Sequence, residues 1–351
     1  MRIAQVAPLM ESVPPKQYGG TERVVSWLTE ELVRLGHDVT LFASGDSVTS
    51  AELVPCWPQG LRFDPEAVCA IPHHLVMLDK VSRRSSEFDI IHFHIDYLHF
   101  PLFRRRATNT LTTLHGRMDL PFLVPVFSEF SEMPLVSISD DQRKPVPWAN
   151  WISTVYHGLP EDLLRYQESP YLDYLAFLGR ISPEKRVDRA IEIARQAGMK
   201  LRIAAKIDKA DEPYFKSQIE PLLAQPHVEF IGEIGDEGKA DFLGNAAGLL
   251  FPIDWPEPFG LVMIEAMASG TPVVAYRRGS VPEVIDYGVT GFVVDDEEEA
   301  IVAVKRLRML NRRLVRARFE ERFSVERMAR DYLDLYRELA APMARPAREL
   351  A

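Results

Sequence analysis

Short apolar runs alternate along the chain with longer segments that have helical periodicity. The first apolar run covers residues 2–7, and a loop rich in proline and glycine separates it from the next segment. Apolar residues from Val24 to Leu35 then stand at spacings of four, four and three, which predicts a helix over residues 21–36. Strand-length runs followed by helices are typical of parallel βα units, so the pattern predicts an α/β fold.

The alternation stops near Gly158 and then begins again, which divides the chain into two halves of the same kind. In the first half, further strands are predicted at residues 39–43, 90–94 and 110–114. In the second half, strands are predicted at residues 175–178, 201–205, 228–231, 249–253 and 272–276, and helices at residues 187–197, 237–247 and 259–268. The boundary is predicted near residues 158–172, so that one architecture is built twice.

The last section, residues 298–339, is helical by pattern and carries a run of basic residues. The run comprises Lys305, Arg306, Arg308, Arg312, Arg313, Arg316, Arg318 and Arg322. We interpret it as a solvated helix face beside an apolar stripe. Attraction to an anionic membrane surface is the alternative, and the same two interpretations apply to the basic residues 104–106.

Composition narrows the class of protein. The 351 residues include 41 Lys and Arg against 51 Asp and Glu, for a net charge of −10, with 46% hydrophobic and 26% charged residues. These values exclude a disordered or coiled-coil chain, and the acidic balance argues against nucleic acid as a partner. Cys56 and Cys69 have no metal-ligand spacing, which favours a reducing cytoplasm over a disulfide framework. No apolar run reaches the ~18 residues of a membrane-spanning helix, and the N-terminus lacks a secretory signal pattern.

Two adjacent glycines, Gly19 and Gly20, stand between the first predicted strand and the first predicted helix. Glycine lets the backbone approach a ligand closely, and the free N–H groups at the helix N-terminus suit an anion. A flexible turn is the alternative interpretation. The absence of G-x-G-x-x-G after this strand argues against a dinucleotide-binding dehydrogenase.

Residues 179–186 follow the first strand of the second half and combine a basic pair with helix-start signals. Ser182 suits an N-cap and Pro183 the first helical position. Arg180 is then at the carboxyl end of the strand and Lys185 in the first helical turn, where both can face the crevice that open α/β sheets use for ligands. Two cations beside the positive end of a helix dipole suit a diphosphate ligand. The alternative interpretation is that residues 179–186 form an ordinary solvated turn between strand and helix.

Two glutamates flank the start of the apolar helix predicted over residues 259–268. The positions three and four residues from Glu265 hold no cation, and a buried, unpaired carboxylate costs several kcal/mol. Hydroxyl groups of a ribose would supply the missing donors. Glu257 stands before the helix, where it can accept from sugar hydroxyls. The alternative is structural: a capping Glu257, and a Glu265 paired to a cation distant in sequence.

His94 and His115 each follow an apolar strand at its carboxyl end. A single histidine of this kind is most often a core or loop residue, but two on neighbouring strands favour a polar site. The chain has no G-x-S-x-G elbow, which argues against a serine hydrolase of that type. It has no D-x-D pair either, so we expect Arg, Lys and helix dipoles, rather than a metal, to neutralise a diphosphate.

Several motifs occur together over nearly the whole length. They are the E-x7-E element from Glu257 to Glu265, F-L-G-R-x-x-x-E-K at residues 177–185, G-G-T-E at 19–22, S-V-P-E-V-I at 280–285, G-V-T-G-F at 288–292, Y-H-G-L at 156–159 and F-S-V-E at 323–326. With them the chain resembles the retaining glycosyltransferases of family 4. The resemblance implies a GT-B fold: two Rossmann-like domains that face each other across a cleft, residues 1–160 for the acceptor and 161–323 for the donor, with a C-terminal helix (about 324–340) that crosses back to the first domain.

The resemblance also assigns roles to individual residues. It implies that Arg180 and Lys185 hold the donor's diphosphate, that Glu265 accepts from the ribose and that Glu257 accepts from the transferred sugar. His115 would reach the sugar near its reacting carbon. The remaining expected donor contacts are Gly19, Gly20, Phe259, Gly260 and Leu261.

One departure from the family pattern concerns the nucleotide. Lys206, Ile207 and Asp208 stand where the family usually has a glycine-rich turn, so Lys206 is expected to contact phosphate or base, and Ile234 is expected beside the base. The implied reaction is metal-independent transfer of a hexose-type sugar, with retention, from a UDP-sugar or a GDP-sugar to a hydroxyl of an unidentified acceptor. No cofactor is expected beyond the donor substrate. The alternatives are a non-catalytic nucleotide-sugar-binding subunit and a sugar-nucleotide epimerase.

Overall fold

The structure, a computed structural model, describes residues 1–16 and 19–340. Within those ranges the strands form two parallel sheets, one in each half of the chain. The first sheet contains β1 Arg2–Val6, β2 Asp38–Ser44, β3 Glu52–Trp57, β4 Ile90–Phe93, β5 Thr110–Thr113, β6 Leu135–Ser137 and β7 Trp151–Thr154. The second contains β8 Tyr174–Arg180, β9 Lys200–Lys206, β10 Val228–Gly232, β11 Gly248–Phe251, β12 Val273–Tyr276 and β13 Gly291–Val294. The boundary predicted near residues 158–172 lies between β7 and β8.

Helices connect most of the strands, as the alternating pattern predicts. They are α1 Gly20–Arg34, α2 Ala70–Arg84, α3 Phe100–Phe103, α4 Leu123–Glu129, α5 Val187–Ala197, α6 Glu212–Tyr214, α7 Glu220–Leu223, α8 Asp236–Gly244, α9 Leu261–Ala268, α10 Val281–Val284, α11 Glu297–Arg306, α12 Arg312–Phe323 and α13 Val325–Ala340. The longer ones bury an apolar face: in α1, Val24, Leu28 and Leu32 are fully shielded from solvent. Burial of this stripe, worth about 1.5–3 kcal/mol per side chain, fixes which face of α1 is turned to the core, and the short connection from β1 places the N-terminus of α1 at the carboxyl edge of the sheet.

The strand order places the carboxyl ends of two central strands at a crevice in each sheet. The order is β3-β2-β1-β4-β5-β6-β7 in the first sheet and β10-β9-β8-β11-β12-β13 in the second. In each sheet the direction of winding reverses beside the first strand, and α/β sheets bind ligands at such switch points. His94 follows β4, and Arg180 ends β8. Both residues therefore lie at a switch point of their own sheet.

The last helix, α13, returns to the first sheet, as the resemblance implies. The hydroxyl of Tyr332 lies 2.8 Å from the hydroxyl of Thr113 on β5, and the hydroxyl of Tyr336 lies 2.7 Å from Nδ1 of His92 on β4. Backbone pairing of Leu159 with Ser324 marks the crossing point. The crossing helix is confirmed, and it ties the two halves together beside the cleft.

The predicted helical section 298–339 is divided into α11, α12 and α13. Asn311 begins α12 by accepting from two backbone N–H groups with its side chain. The prediction of a solvated basic face is wrong for part of α12, because Arg312 donates to the carbonyl of Gly244 at 2.7 Å and Arg316 to that of Ala268 at 2.6 Å. In the described part of the chain, no helix has the length and apolar character needed to cross a bilayer.

Candidate active site

The residues that the sequence analysis selects come together in one cleft between the two sheets. The cleft has a volume of about 400 Å³. The expected donor and catalytic positions line it: Gly19, Gly20 and His115 from the first half, and Arg180, Lys185, Lys206, Ile234, Glu257, Phe259, Gly260, Leu261 and Glu265 from the second, whereas His94 is buried behind His115. Because the two groups are more than sixty residues apart in the chain, only the folded arrangement of the two sheets brings them together. Residues 17 and 18, which precede the two glycines, lie outside the described residues.

Two helix N-termini face each other across this cleft. α1 begins at Gly20 and α9 at Leu261, and a Cβ atom on Gly20 would lie only 3.8 Å from the side chain of Leu261. Gly260 caps α9 with φ +81, a left-handed conformation that glycine adopts without strain. Both helices direct unpaired N–H groups and the positive ends of their dipoles at the same space, which suits an anion.

Arg180 is surrounded by carboxylates. Its guanidinium donates to Glu184 at 2.6 Å and lies 3.6 Å from Asp208 and 3.5 Å from Asp211. Lys206 also lies 3.2 Å from Asp208. The cation of Arg180 is therefore already paired, and a bound anion would have to replace these carboxylates or share the cation with them.

Lys185 is held between a carboxylate and aromatic rings. It forms an ion pair with Glu257, and its Nζ lies 5.0 Å from the ring centroid of Trp255 and 5.6 Å from that of Phe251. The indole N–H of Trp255 donates to the same carboxylate at 3.0 Å. These contacts fix the position of the ammonium group and stabilise it by cation–π attraction.

The backbone around Lys185 differs from the sequence-based expectation. Pro183–Lys185 is a single 3₁₀ turn, and α5 begins only at Val187 because Arg186 adopts a left-handed conformation with φ 52. Ser182 provides no side-chain cap. Lys185 therefore lies before the helix rather than in its first turn, on the short segment between β8 and α5.

Glu265 is paired with a cation that the spacing along its own helix does not reveal. Its Oε1 accepts from Nζ of Lys239 on α8 at 2.7 Å, and both side chains are largely buried. Lys239 also lies 3.3 Å from Asp236, which forms an ion pair with Arg23 of the first half. Burial opposes the charge on Lys239, but the carboxylates of Glu265 and Asp236 together favour it more strongly and raise the pKa of Lys239. The expectation that Glu265 lacks a protein partner is therefore wrong.

His115 is part of a buried histidine cluster. Its Nε2 lies 2.9 Å from Nδ1 of His94, and its ring stacks on that of His157 with centroids 5.2 Å apart. Burial lowers the pKa of His115 to about 3, because the shielded ring is poorly solvated when charged. The imidazole is therefore neutral at physiological pH and can accept or donate a single hydrogen bond at each nitrogen.

Among the cleft residues that sequence reasoning did not select are the basic side chains of Arg23 and Lys239 and the imidazole of His157. Arg23 carries a weak signal, since it lies one turn after the Gly19–Gly20 pair. His157 lies within the Y-H-G-L motif at residues 156–159, for which the sequence analysis expected no contact with the donor. Lys239 carries no signal, because its partner is on another helix. Within residues 1–16 and 19–340, no cluster of three or more His, Cys, Asp or Glu side chains could hold a metal ion.

Comparisons with protein families cover nearly the whole chain. Residues 18–167 match the model for Glycosyltransferase Family 4, and residues 167–323 match the model for Glycosyl transferases group 1. The chain is 33% identical over 359 residues to the phosphatidyl-myo-inositol mannosyltransferase of Mycobacterium leprae, a match that covers 91% of this chain and 90% of that protein.

Solved structures show the same architecture. Sucrose-phosphate synthase from Thermosynechococcus elongatus superposes with a TM-score of 0.77 at 19% identity, over 97% of this chain and 99% of that one. HepE of Anabaena, in a complex with UDP-glucose, superposes with a TM-score of 0.72 at 17% identity, over 96% of this chain and all of that one (100%). At these identities the likeness shows the fold alone, and that fold is the expected GT-B arrangement.

Proposed function

Because the chain belongs to glycosyltransferase family 4 and is a glycosyltransferase, we propose that it moves a hexose-type sugar from a nucleotide-diphosphate sugar to a hydroxyl group of its acceptor. A UDP-sugar is the favoured donor, with a GDP-sugar as the alternative. We further propose that the transfer retains the configuration of the sugar and needs no metal ion.

One observation carries this proposal: two opposed helix N-termini share a cleft with paired, well-positioned cations. A nucleotide diphosphate has two anionic groups, which match the N-termini of α1 and α9 together with Arg180 and Lys185. Each of these cations has a carboxylate partner, Glu184 or Glu257, that diphosphate oxygens can replace. When Lys185 pairs with phosphate instead, the carboxylate of Glu257 becomes available to accept hydrogen bonds from sugar hydroxyls.

The proposed chemistry depends on charge stabilisation. As the bond between sugar and phosphate breaks, negative charge grows on the departing diphosphate, where Arg180 and Lys185 stabilise it. Positive charge grows on the sugar carbon, beside the neutral His115. In the proposed same-face reaction, the leaving phosphate oxygen accepts the proton of the attacking hydroxyl, so placement of the two substrates replaces a protein base.

The acceptor is the least constrained part of the proposal. The relative from M. leprae is named for action on phosphatidyl-myo-inositol, and a D-inositol 3-phosphate glycosyltransferase of Streptomyces griseus is 33% identical over 153 residues, or 40% of this chain. We therefore include inositol, inositol 3-phosphate and phosphatidylinositol among the acceptors to be tested, beside saccharide and lipid-linked hydroxyl acceptors.

The test uses the full chain with UDP-, GDP- and ADP-sugars, each with and without an acceptor. Thermal shift measures binding, nucleotide release measures turnover, and the anomeric coupling constant of the product gives the stereochemistry. We expect stabilisation by one nucleotide class and acceptor-dependent release that persists in EDTA. A folded protein that no nucleotide stabilises would contradict the proposal. Binding without turnover would favour the non-catalytic alternative, and product from the donor alone would favour the epimerase.

A matched pair of variants identifies the site. Lys185→Met removes the cation that faces Glu257 in the cleft, whereas Lys305→Met removes an exposed cation on α11. We expect only the first to lower nucleotide release, by about 10²–10³-fold, as for other groups that stabilise transition-state charge. Equal activity of the two variants would place the reaction elsewhere.

A further inference from the structure

A hydrogen-bonded connection joins the two halves of the chain, and its centre is Glu283 on α10. The carboxylate of Glu283 accepts from the backbone N–H of Asp140 at 2.7 Å and from that of Asp141 at 2.8 Å, one with each oxygen. The hydroxyl of Tyr156 donates to the same carboxylate at 3.1 Å. Burial and the neighbouring carboxylate raise the pKa of Tyr156 to about 12, so this hydroxyl keeps its hydrogen. A side chain of the second half therefore holds three groups of the first.

On the side of the first half, the connection continues to the residues that flank His115. Gln142 lies in the 3₁₀ turn that begins at the two bound N–H groups, and its side chain is buried. Its amide nitrogen donates to the carbonyls of Leu114 at 2.9 Å and Gly116 at 2.7 Å, and its amide oxygen accepts from the backbone N–H of Ile138 at 2.8 Å. Only one orientation of the amide satisfies two carbonyls and one N–H group, so its direction is settled. The turn therefore fixes the backbone on both sides of His115.

On the side of the second half, α10 contacts the loop that carries Glu257. Ser280, which precedes α10, is fully buried. Its backbone N–H donates to the carbonyl of Glu257 at 3.0 Å, and its hydroxyl donates to that of Phe259 at 2.7 Å. Arg322 donates to the carbonyl of Glu283 from the other side. Helix α10 is therefore fixed against the wall of the cleft that Glu257 and Phe259 form.

We propose that Glu283 is a positioning residue that sets the separation of the two walls of the cleft, with Glu257 on one wall and His115 on the other. Both residues line the cleft, one from each half. This inference rests on the proposed function, in which the transferred sugar lies between the two walls. A misplacement of about 1 Å can cost on the order of a hundredfold in rate, so a fixed separation matters most for the transfer step.

The separation of the halves can be measured without any substrate. Cys69 is exposed in the first half and accepts a spin label, whereas Cys56 is buried. Glu298→Cys supplies a second exposed site, on α11 of the second half. Double electron–electron resonance gives the distribution of distances between the two labels, and we expect Glu283→Ala to broaden or shift it. An unchanged distribution in folded Glu283→Ala would overturn the proposal, and this readout remains valid even if the proposed transfer reaction fails.

Kinetics test the consequence for the proposed reaction. Glu283→Gln keeps one oxygen for one N–H group but turns an NH₂ group toward the other, and Glu283→Ala accepts from neither. We expect kcat for sugar transfer to fall about tenfold in the first variant and about a hundredfold in the second. Affinity for UDP or GDP, whichever stabilises the protein, should stay nearly unchanged in calorimetry. The reason is that Arg180, Lys185 and Glu265 all belong to the second half and keep their mutual positions when the halves move.

Glu30→Gln is the matched control, because Glu30 also accepts from a backbone N–H, that of Ser50 at 3.0 Å, but within the first half. It should leave both the label distances and kcat unchanged. An equal fall of kcat in Glu30→Gln would overturn the role of Glu283. A loss of nucleotide affinity in Glu283→Gln as large as its loss of kcat would do the same. If Glu283→Ala does not fold, the label distances and kcat of Glu283→Gln, which has the shape of the native side chain, decide the question.

Discussion

Variants of the ion pair between Lys239 and Glu265 can distinguish a structural role of Glu265 from its proposed ribose-binding role. Lys239→Met, Glu265→Gln and the double variant form a mutant cycle. In the wild-type protein the two charged groups are 2.7 Å apart, and their side chains are 14% and 6% exposed. Each single change removes one partner and leaves the other polar group buried.

The geometry sets the expected magnitudes. At 2.7 Å and an effective dielectric constant of about 20, the gross attraction is about 6 kcal/mol, much of it offset by desolvation. Lys239→Met, which leaves a buried carboxylate without its cation, should lower the free energy of unfolding by about 3–5 kcal/mol. This corresponds to a fall in Tm of roughly 6–20 °C. The double variant, in which both charges are gone, should recover most of that loss.

Nucleotide affinity should follow a different order. If Glu265 accepts from the ribose, removing its charge weakens binding by about 1–2 kcal/mol, or roughly tenfold, because hydrogen bonds to charged groups are stronger than neutral ones. The double variant should therefore be stable and still bind weakly. Calorimetry with UDP and with its 2′- and 3′-deoxy analogues locates the contact, since Glu265→Gln should not weaken binding of an analogue that lacks the partner hydroxyl.

Two results would refute this reasoning. A double variant that binds nucleotide as tightly as the wild-type protein would show that Glu265 serves only to neutralise Lys239. Additive losses of stability in the two single variants would show that the two side chains do not interact in solution.

Three further predictions concern the same cleft. Gly279→Ala should abolish transfer, because Gly279 has a φ of +55 and a Cβ atom there would overlap the backbone of Glu257. Gly288→Ala should keep activity, because Gly288 has a φ of +78 but open space around it. Initial rates of transfer compare the two variants. Lys185→Arg should recover part of the rate that Lys185→Met loses, since it restores charge but not shape. His115→Gln should flatten the pH dependence of the free energy of unfolding, measured with urea. The imidazole of His115 binds a proton below pH ~6.5 in the unfolded state but only below about pH 3 in the folded state. As the pH is lowered from 6 to 5, the free energy of unfolding should therefore fall in the wild-type protein by about 1.4 kcal/mol per pH unit more than in the variant.

A His115→Gln variant whose stability depends on pH as that of the wild-type protein does would contradict the prediction for His115. Equal rates for Gly279→Ala and Gly288→Ala would contradict the prediction for Gly279. For Lys185, a methionine variant as active as the arginine variant would exclude a charge-based role.

The pairing of the cations also bears on how a protein with an acidic net charge would bind the proposed diphosphate. Arg180 pairs with Glu184 and Lys185 with Glu257, and these carboxylates offset the repulsion between the cations of the cleft. Binding then exchanges one anionic partner for another. We expect affinity for a diphosphate to depend on this exchange rather than on the net charge of −10.

The sequence by itself determined the two-part α/β architecture and the residues of the cleft. Strand and helix periodicity is a local property, and carboxyl ends of parallel strands meet at one edge, so the placement of Arg180 and His115 could be predicted. Helix boundaries were harder to predict from the sequence. Helix α5 begins after Lys185 because one residue, Arg186, adopts a left-handed conformation.

Only the tertiary structure decided how these side chains are paired. Lys239 is 26 positions before Glu265 and on another helix, and Gln5 is 89 positions before His94 on another strand. Such contacts depend on the distance and orientation of packed elements, which spacing along one helix or strand does not encode. The sequence therefore selected side chains that the fold brings into one cleft, whereas the fold alone set which partner each of them has.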